Sequence, residues 1–502
     1  YIPLEHNLAW QYEHEILKSE KSVVTSFKPF YITGYHPDSL VSDSLLMHSP
    51  KGMKTWFQRK LFSEHFFRVK EGSLAFVMDP LAILSLGHDD QQTEPLYRNT
   101  RGIRLEGMLG PNLSFTSSFY ENQARFPLYL TQWAGEKLVI PGQGTIREFG
   151  VGGYDFNWAD GRITFNPGEK WLFEMGHGKK YIGNGYRSLI LSDNAFNYPY
   201  LLVGFKNKWF HFYKMHASLM HDIFFINRSN VMYNRKTASM HYFGFQPIKN
   251  LEISFFDGFI WSTPDSTGQF NFEAEMLSPV PFKLNDPKKN IITGININYT
   301  LNKSYQMYGQ WMFDDFKFTG SQNFLKQGFQ AGLKAFSPFS LSGLFLLAEV
   351  NQVWPYTYSQ ASPEFSYTHY NQALAHPLGA NFREWVVIAT YEWKRLRLYA
   401  KMNLARYGTD NENEHWGKDI FKSTDDASLS LENSLTQLFQ GNQTSSTIMH
   451  SRLSVIVNPN TNLLLSLGFQ KRVLSGIPEI NSNSGYFYVS LHSNLNNFYY
   501  DF

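Results

Sequence analysis

From residue 73 to the end of the chain, apolar and polar residues alternate with a period of two. In the segment 304–314, one face consists of Tyr305, Met307, Gly309, Trp311 and Phe313. The residues between them are mostly polar, and the segment 395–404 repeats the pattern. Runs of about ten alternating residues are typical of strands that lie between lipid and a polar lumen. A soluble β-sandwich also alternates, but its outward residues are polar and its strands are usually shorter.

Short and long connections alternate between these predicted strands. Short turns are predicted at Gly110-Pro111-Asn112, Asp160-Gly161, Lys206-Asn207-Lys208, Ile248-Lys249-Asn250, Leu301-Asn302-Lys303, Ser337-Pro338-Phe339, Lys394-Arg395 and Asn458-Pro459-Asn460. Long polar connections are predicted near 122–150, 177–198, 220–238, 262–290, 353–383 and 407–446, with shorter ones near 87–100, 317–327 and 473–484. Outer-membrane barrels have this asymmetry, with short periplasmic turns and long extracellular loops. The alternation predicts an all-β fold, a transmembrane antiparallel β-barrel of about 18 strands; one miscounted hairpin would make it about 16 or 20.

Residues 1–72 differ from the rest of the chain. The segments 3–19 and 54–70 carry apolar residues at helical spacing. We therefore expect an N-terminal helical region at 1–72, which forms a plug or a periplasmic cap, and a barrel at 73–502 with long extracellular loops. Packing helices of a soluble protein would give the same N-terminal pattern. At the other end of the chain, Phe498, Tyr500 and Phe502 alternate, which predicts a final strand that closes the barrel.

Composition supports a membrane barrel and narrows the functional classes. Aromatic residues make up 17% of the 502 residues, with 44 Phe and 29 Tyr, yet the mean hydropathy is -0.34. A barrel gives this combination because lipid-facing and lumen-facing residues average out, so we expect outer-membrane lipid as a partner. The absence of cysteine excludes disulfides, and the net charge of +2 gives no field for nucleic acid. Tyr1 in place of Met fits a mature chain after signal-peptide removal, and we expect the cell outer membrane as its location.

Catalytic patterns are absent from the sequence. The glycines at 176–185 have neither dinucleotide-binding nor phosphate-loop spacing, there is no HExxH, and no serine stands in a GxSxG setting. The 16 histidines have no metal-ligand spacing. Acidic pairs such as Asp89-Asp90 and Asp425-Asp426 are more simply solvated loop charges than a glycosidase pair or a calcium site. We therefore predict a non-enzymatic protein without metal or cofactor.

The stretch 176–199 is the strongest candidate for a binding surface. It reads GHGKKYIGNGYRSLILSDNAFNYP and combines glycines, aromatic rings, amides and charges in a long connection. Sugars have flat apolar faces edged with hydroxyl groups, so aromatic platforms beside Asn, Asp and Arg suit them. The predicted binding residues are Tyr181, Asn184, Tyr186, Arg187, Asp193, Asn194, Asn197 and Tyr198 here, with Trp416 and Lys418 in the loop 407–422. A packed loop that only plugs the barrel, or aromatic residues that only anchor it at the interface, would use the same residue types.

Three segments resemble a known family. They are GHGKKYIGNGYRSLILSDNAFNYPYLLV at 176–203, WFQRKLFSEHFFRVKEGSLAFVMDPL at 56–81 and the terminal FYYDF. These segments are similar to the Bacteroidota members of the capsule-assembly Wzi-like outer-membrane proteins, which include the gliding-motility proteins RemB and RemZ. The resemblance implies an 18-stranded barrel closed by loops and a plug, and a non-enzymatic role. The implied partners are surface polysaccharide, or components of gliding motility and type 9 secretion together with periplasmic lipoproteins.

Two functions are favoured by these observations, and an outer-membrane enzyme that acts on lipid or glycan is a third and weaker hypothesis because no catalytic triad is visible. The first is a surface barrel of the Wzi-like family that binds polysaccharide or serves the gliding and type 9 secretion machinery. The alternative is a solute-conducting porin, in which Arg395, Arg397, Lys401 and Arg452 line a basic pore. The two functions differ in whether the lumen is open.

Overall fold

A computed structural model of the chain describes residues 1–18, 24–30, 52, 55–168, 170–227, 230–262, 289–314, 326–411, 414–427, 437–476 and 482–502. The helices are α1 (His6–Lys18), α2 (Trp56–Phe62) and α3 (Leu128–Lys137), with 3-10 turns at Pro338–Ser340, Pro363–Phe365 and Thr424–Asp426. Within those residues, no helix is long and apolar enough to cross a membrane.

Strands dominate the structure. In chain order they are β1 (Phe27–Lys28), β2 (Phe67–Glu71), β3 (Leu74–Asp89), β4 (Leu96–Leu109), β5 (Leu113–Arg125), β6 (Arg147–Phe149), β7 (Gly153–Phe165), β8 (Trp171–Gly178), β9 (Tyr181–Ile182), β10 (Tyr198–Lys206), β11 (Phe210–Asn227) and β12 (Asn230–Ile248). They continue with β13 (Leu251–Ser262), β14 (Asn290–Leu301), β15 (Tyr305–Asp314), β16 (Gln327–Phe336), β17 (Leu344–Val353), β18 (Thr368–His369), β19 (Gln372–Ala373), β20 (Phe382–Trp393), β21 (Leu396–Thr409), β22 (Asn442–Asn458), β23 (Leu463–Ser475) and β24 (Ser482–Ser493).

Among the described strands, a ring of 18 closes into one antiparallel barrel, as the sequence predicted. The ring is β3, β4, β5, β7, β8, β10 to β17 and β20 to β24. It closes where β24 pairs with β3, from Tyr486 opposite Asp89 to His492 opposite Ile83. The short strand β2 pairs with the start of β3, and β6 pairs with the start of β7. We call the end with the short turns periplasmic and the other end extracellular.

The two faces of the wall have the expected chemistry. On β15, Met307 and Trp311 are 55% and 50% exposed on the outside, whereas Gln306 and Gln310 are at most 2% exposed on the inside. The same alternation runs around the barrel, with exposed Leu398 and Leu404 on β21. A continuous apolar exterior is stable only in contact with lipid, so this protein is an outer-membrane barrel.

One predicted turn was misplaced. Asp160 and Gly161 lie inside β7, where Asp160 forms an ion pair with Arg162 at 3.6 Å. The chain turns instead after Phe165, where Gly168 has a φ of +80°. Asp-Gly is a frequent turn sequence, but here the Asp160 side chain pairs with Arg162 inside the lumen, and the strand continues through both residues. The predicted number of strands is still correct, because the turn was placed at the wrong residues but was not omitted.

Predicted loops differ from the structure in two further places. The segment 220–238 is not a long loop, because β11 runs to Asn227 and β12 begins at Asn230. The segment 122–150 contains α3 and β6. The predicted loops at 262–290 and 317–327 lie largely outside the described residues, as do parts of those at 407–446 and 473–484.

The second N-terminal helix is shorter than predicted. It ends at Phe62, and the residues Phe67–Glu71 form β2, which turns back into β3 through Gly72 at a φ of +55°. Thr55 and Gln58 close the start of α2 with a reciprocal capping box. Aromatic residues at helical spacing suggested a longer helix, but Phe67 is 45% exposed in the strand.

The C-terminal aromatic residues do not form a strand, which corrects the prediction. The last strand ends at Ser493, and residues 494–502 turn back into the lumen. Asp501 is 2% exposed there and accepts a hydrogen bond from Lys401 on β21 at 2.6 Å. The alternation of Phe498, Tyr500 and Phe502 therefore reflects packing inside the barrel.

Candidate functional site

The glycine-rich connection between β8 and β10 folds into the lumen and crosses it. Every residue of 178–195 is buried. Its partners include side chains on β17 and β20, which stand seven and eight places from β10 in the ring. In a ring of 18 strands, that position is the opposite wall. We call the segment 179–197 the plug loop.

Side chains of the wall hold the backbone of the plug loop. Gln310 on β15 donates to the carbonyl oxygen of Ile182 at 2.9 Å. Glu349 on β17 accepts hydrogen bonds from the backbone N–H groups of Tyr186 and Arg187 at 2.8 and 3.1 Å. A loop inside a barrel needs such partners because a buried backbone group without a hydrogen bond is costly. The polar lumen face of the strands supplies them.

Two glycines are required for this close approach. Gly183 has a φ of +146°, and a Cβ there would lie 2.5 Å from Nε2 of Gln310. At Gly185 a Cβ would overlap the carboxylate of Glu349 and lie 2.8 Å from the carbonyl oxygen of Arg187. The glycines therefore let the backbone of the plug loop lie directly against the wall.

Arg187 is the centre of the plug loop. Its guanidinium is 1% exposed and pairs with Glu384 on β20 at 2.9 Å and with Asp501 at 3.2 Å. The rings of Tyr186 and Tyr499 flank it, with centroids 4.9 and 5.1 Å from Cζ. Burial alone would lower the pKa of Arg187, but the two carboxylates outweigh it and raise the pKa above the ordinary value. The buried charge is thus balanced by two carboxylates through Nη2, whereas Nη1 has no hydrogen-bond partner among the described residues.

The C-terminal segment holds the plug loop through contacts with Asp193 and Arg187. Asp193 accepts hydrogen bonds from the Tyr499 hydroxyl at 2.7 Å and from the Asn497 amide at 2.8 Å. Asp501 pairs with Lys401 in addition to Arg187. Burial raises the pKa of Asp501, but the two cations outweigh this effect and leave the pKa below its ordinary value. We call residues 494–502 the C-terminal tail.

Helix α1 lies at the periplasmic end of the same assembly. Trp10 stacks on Phe345 of β17 with ring centroids 4.5 Å apart. Glu13 is fully buried between the ammonium groups of Lys28 and Lys334, the first at 2.8 Å. Burial raises the pKa of Glu13, but these two lysines outweigh it and lower the pKa. The helix is thus tied to the wall by charge and by aromatic packing.

The segment 24–30 connects α1 to the plug loop. Strand β1 pairs with β9, placing Phe27 opposite Ile182. The backbone N–H groups of Thr25 and Ser26 donate to Glu252 on β13 at 2.8 and 3.1 Å. The plug loop is therefore part of a small internal sheet as well as being bonded to the wall.

On the extracellular side, the loop 354–381 covers the plug loop. Tyr358 donates to the carbonyl oxygen of Leu189 at 2.7 Å, and the N–H of Ser192 donates to the carbonyl oxygen of Leu374 at 2.9 Å. Short strands β18 and β19 form a hairpin in this covering loop. The lumen thus holds successive layers: α1, the plug loop and the covering loop.

Acid is expected to loosen the contact between the covering loop and the wall. His369 accepts from the N–H of Met220 at 3.0 Å, and its Nε2 lies 3.2 Å from the carbonyl oxygen of Asn197. Burial lowers the pKa of His369 to about 3 from 6.5. The contact is therefore fully stable above pH 6.5 and weakens by about 1.4 kcal/mol per pH unit below that. Protease cleavage of the loop, measured from pH 7 to 4.5, should increase as the pH falls.

A matched pair of variants tests the role of this histidine. His369→Gln removes the titrating group, so the slope of cleavage against pH should become smaller, whereas His88→Gln changes an exposed histidine on the outer wall and should leave the slope unchanged. Equal slopes in the two variants would contradict the assignment.

Trp416 and Lys418 lie in the outer layer, apart from the plug loop. Trp416 is half-buried, and its backbone N–H donates to Asp410 at 2.5 Å. The ammonium of Lys418 lies 4.7 Å from the ring centre of Tyr407, and burial lowers the pKa of Lys418 to about 8. Part of the Trp416 ring remains accessible from outside.

The ten predicted binding residues thus fall into two groups. The first group lies in the plug loop, and its members are at most 6% exposed inside the barrel: Tyr181, Asn184, Tyr186, Arg187, Asp193, Asn194, Asn197 and Tyr198. An extracellular ligand does not reach them while the plug loop is in place. Trp416 and Lys418 belong to the second group, at the extracellular end.

Sequence reasoning missed the partners of the plug loop. Glu349 and Glu384 are at lumen-facing positions of strands. At such positions a carboxylate cannot be distinguished by sequence from one that only contacts water in the lumen. A carboxylate in the middle of a strand, together with an arginine in a glycine-rich loop, was the available signal. Within the described ranges, no group of three side chains is placed to hold a metal ion.

Comparisons with known proteins identify the fold. No family model matches the chain, and no characterised protein matches its sequence. Among solved structures, the chain is similar to Wzi of Escherichia coli, described as an outer-membrane, carbohydrate-binding β-barrel involved in group 1 capsule assembly. The TM-score is 0.57 at 12% identity, over 98% of this chain and 99% of Wzi. OccK3 (OpdO) of Pseudomonas aeruginosa gives a TM-score of 0.43 at 10% identity, over 83% and 94% of the two chains.

Fold and site together define a class of protein. The chain is an outer-membrane β-barrel with the fold of Wzi, and a loop, an N-terminal helix and a C-terminal tail lie inside it.

Proposed function

We propose that this protein is a non-enzymatic surface barrel that associates with polysaccharide and whose lumen is closed by the plug loop. The observation that carries the proposal is the crossing of the lumen by residues 179–197, which Glu349 and Glu384 fasten to the far wall. A porin needs an open, hydrated lumen, whereas a surface lectin does not. The fold shared with the carbohydrate-binding barrel Wzi supports the proposal.

The basic side chains that were predicted to line a pore support a closed lumen. Arg397 pairs with Glu392, and Lys401 pairs with Asp501. Arg395 donates to the carbonyl oxygen of Val457 at 2.6 Å. Three of the four candidate cations are therefore bonded within the wall and the tail. Purified wild-type protein should give no single-channel steps in a planar bilayer, and stable steps would favour the porin alternative.

Polysaccharide contact is proposed for the outer layer, around Trp416 and Lys418. Trp416→Ala should weaken binding of the native surface polysaccharide about 2- to 10-fold, since one aromatic platform contributes roughly 0.5–1.5 kcal/mol. Trp209→Ala is the control, because Trp209 is 55% exposed in a periplasmic turn. Binding to immobilised polysaccharide measures the effect, and a normal heat-shifted gel band shows that the barrel is intact. Equal binding by the two variants would contradict this site.

A role in gliding motility or type 9 secretion remains part of the proposal. The periplasmic end exposes large apolar side chains, with Trp56 and Phe57 of α2 at 52% and 65% and Phe339 at 80%. Exposed apolar side chains of this kind suit contact with a periplasmic protein. Isolation from the native outer membrane in mild detergent tests this part. Stoichiometric secretion or motility proteins would support it, and their absence together with bound glycan would leave the lectin role alone.

A further inference from the structure

Beside the plug, the lumen retains a cavity of about 260 Å³. It lies between the C-terminal tail and the inner face of β3 to β5 and β21 to β24. Its lining runs from Tyr97 and Arg125, at the extracellular ends of β4 and β5, to Ser493 at the periplasmic end of β24. Its volume is near the lower end of small-molecule sites, which is roughly 300 Å³.

The charge of this cavity is positive. Within the described residues, neither Arg98 nor Arg452 forms an ion pair with a carboxylate. The guanidinium of Arg98 donates only to neutral acceptors, among them Asn122 at 3.2 Å and Gln143 at 3.1 Å. The one carboxylate of the lining, Asp501, is already paired with Arg187 and with Lys401, which also lines the cavity. Two uncompensated cations in a partly enclosed space attract an anion strongly.

Arg452 points to a ligand more directly. Its Nε is buried and has no hydrogen-bond partner in the structure. The guanidinium lies 5.1 Å from the ring centre of Tyr399 and hydrogen-bonds with Tyr488, which also lines the cavity. A buried donor of a charged group is destabilising when it has no partner, so an acceptor in the cavity would stabilise Arg452.

The remaining lining is aromatic. Aromatic residues with inward-facing side chains in the lining are Tyr120, Tyr486, Tyr488, Phe498 and Tyr500. Phe498 and Tyr500 of the C-terminal tail lie nearly parallel, with an interplanar angle of 10°, and Arg98 lies over the Phe498 ring at 5.1 Å. Flat rings beside hydroxyl groups suit the apolar face of a sugar, and the arginines suit a carboxylate or sulfate on it.

We propose that this cavity binds one acidic sugar unit, with Arg452 and Arg98 holding its anionic group and the tyrosines holding its ring. The inference rests on the proposed polysaccharide association and names the chemistry of the glycan, an anionic polysaccharide. The C-terminal tail forms the inner side of the site, so the same segment that fastens the plug loop shapes the site.

The test uses purified full-length protein and two probes, a trisaccharide that ends in glucuronic acid and the same trisaccharide ending in glucose. Calorimetry should show binding of the acidic probe only, with affinity falling as salt rises. Arg452→Gln should weaken binding at least 10-fold, and Arg452→Lys should restore part of it. Arg406→Gln removes an equal charge from an exposed position of the outer wall and should leave binding unchanged. Arg98→Gln provides a second variant should Arg452→Gln fail to fold.

Each other result overturns the cavity proposal. Equal binding of the two probes would exclude recognition of the anion, and equal affinity of Arg452→Gln and Arg406→Gln would place the site elsewhere. Wild-type protein that binds intact polysaccharide but not the acidic probe would remove the cavity site and leave the proposed function standing. Protein that binds neither would contradict both.

Discussion

Replacing Arg187 with methionine is expected to release the plug loop while the barrel still assembles. The change leaves Glu384 and one side of Asp501 buried without their cation. Breaking a buried ion pair from one side costs about 3–5 kcal/mol, which is comparable to the stability of a single internal segment. Single-channel recording should show steps for Arg187→Met and none for the wild type.

The matched control for this variant is Arg383→Met on the same strand as Glu384. Arg383 is exposed and donates to Gln352 at 2.7 Å on the outer face. It should stay electrically silent and keep the wild-type gel shift on heating. A silent Arg187→Met protein with an intact barrel would mean that the arginine does not hold the plug loop.

Replacing Gly185 with valine should have the second largest effect. The new side chain would overlap the carboxylate of Glu349 and so break its hydrogen bonds to Tyr186 and Arg187. Overpacking of this kind costs about 1–3 kcal/mol, and the lost hydrogen bonds add to it. Limited proteolysis of detergent-solubilised protein should cleave the variant within the plug loop at protease levels that spare the wild type.

Gly178→Ala is the control within the same connection. A Cβ at Gly178 would meet only Tyr200, at 3.9 Å, which is an ordinary contact. This variant should resist protease like the wild type. If both glycine variants behave alike, the close approach at Gly185 is not what holds the loop.

Periodicity predicted the barrel because the wall obeys a local rule. Most lipid-facing residues are apolar whatever the distant parts of the chain do, so the pattern of β15 and β21 could be predicted from their own sequences. The predicted turn at Asp160-Gly161 was wrong because the alternation of apolar and polar residues does not show which polar side chains pair inside the lumen, as Asp160 does with Arg162.

The interior was not predictable in the same way. Tyr499 and Asp501 alternate with their neighbours as strand residues do, and only their contacts with Asp193 and Arg187 show that the tail left the wall. Those contacts join residues more than 300 positions apart. The residue types of the plug loop suit either a binding surface or a seal, and the burial of these residues supports the seal that we propose.

Accessibility of one engineered cysteine tests the central claim most directly. The chain has no native cysteine, and Asn184 is fully buried at the far side of the plug loop, bonded to Asn296 at 3.2 Å. Whole cells carrying Asn184→Cys should not react with a membrane-impermeant maleimide until the protein is denatured, whereas Asp425→Cys, at an exposed extracellular position, should react at once. Rapid labelling of Asn184→Cys on intact cells would contradict the plug and return this loop to the role of a surface for binding.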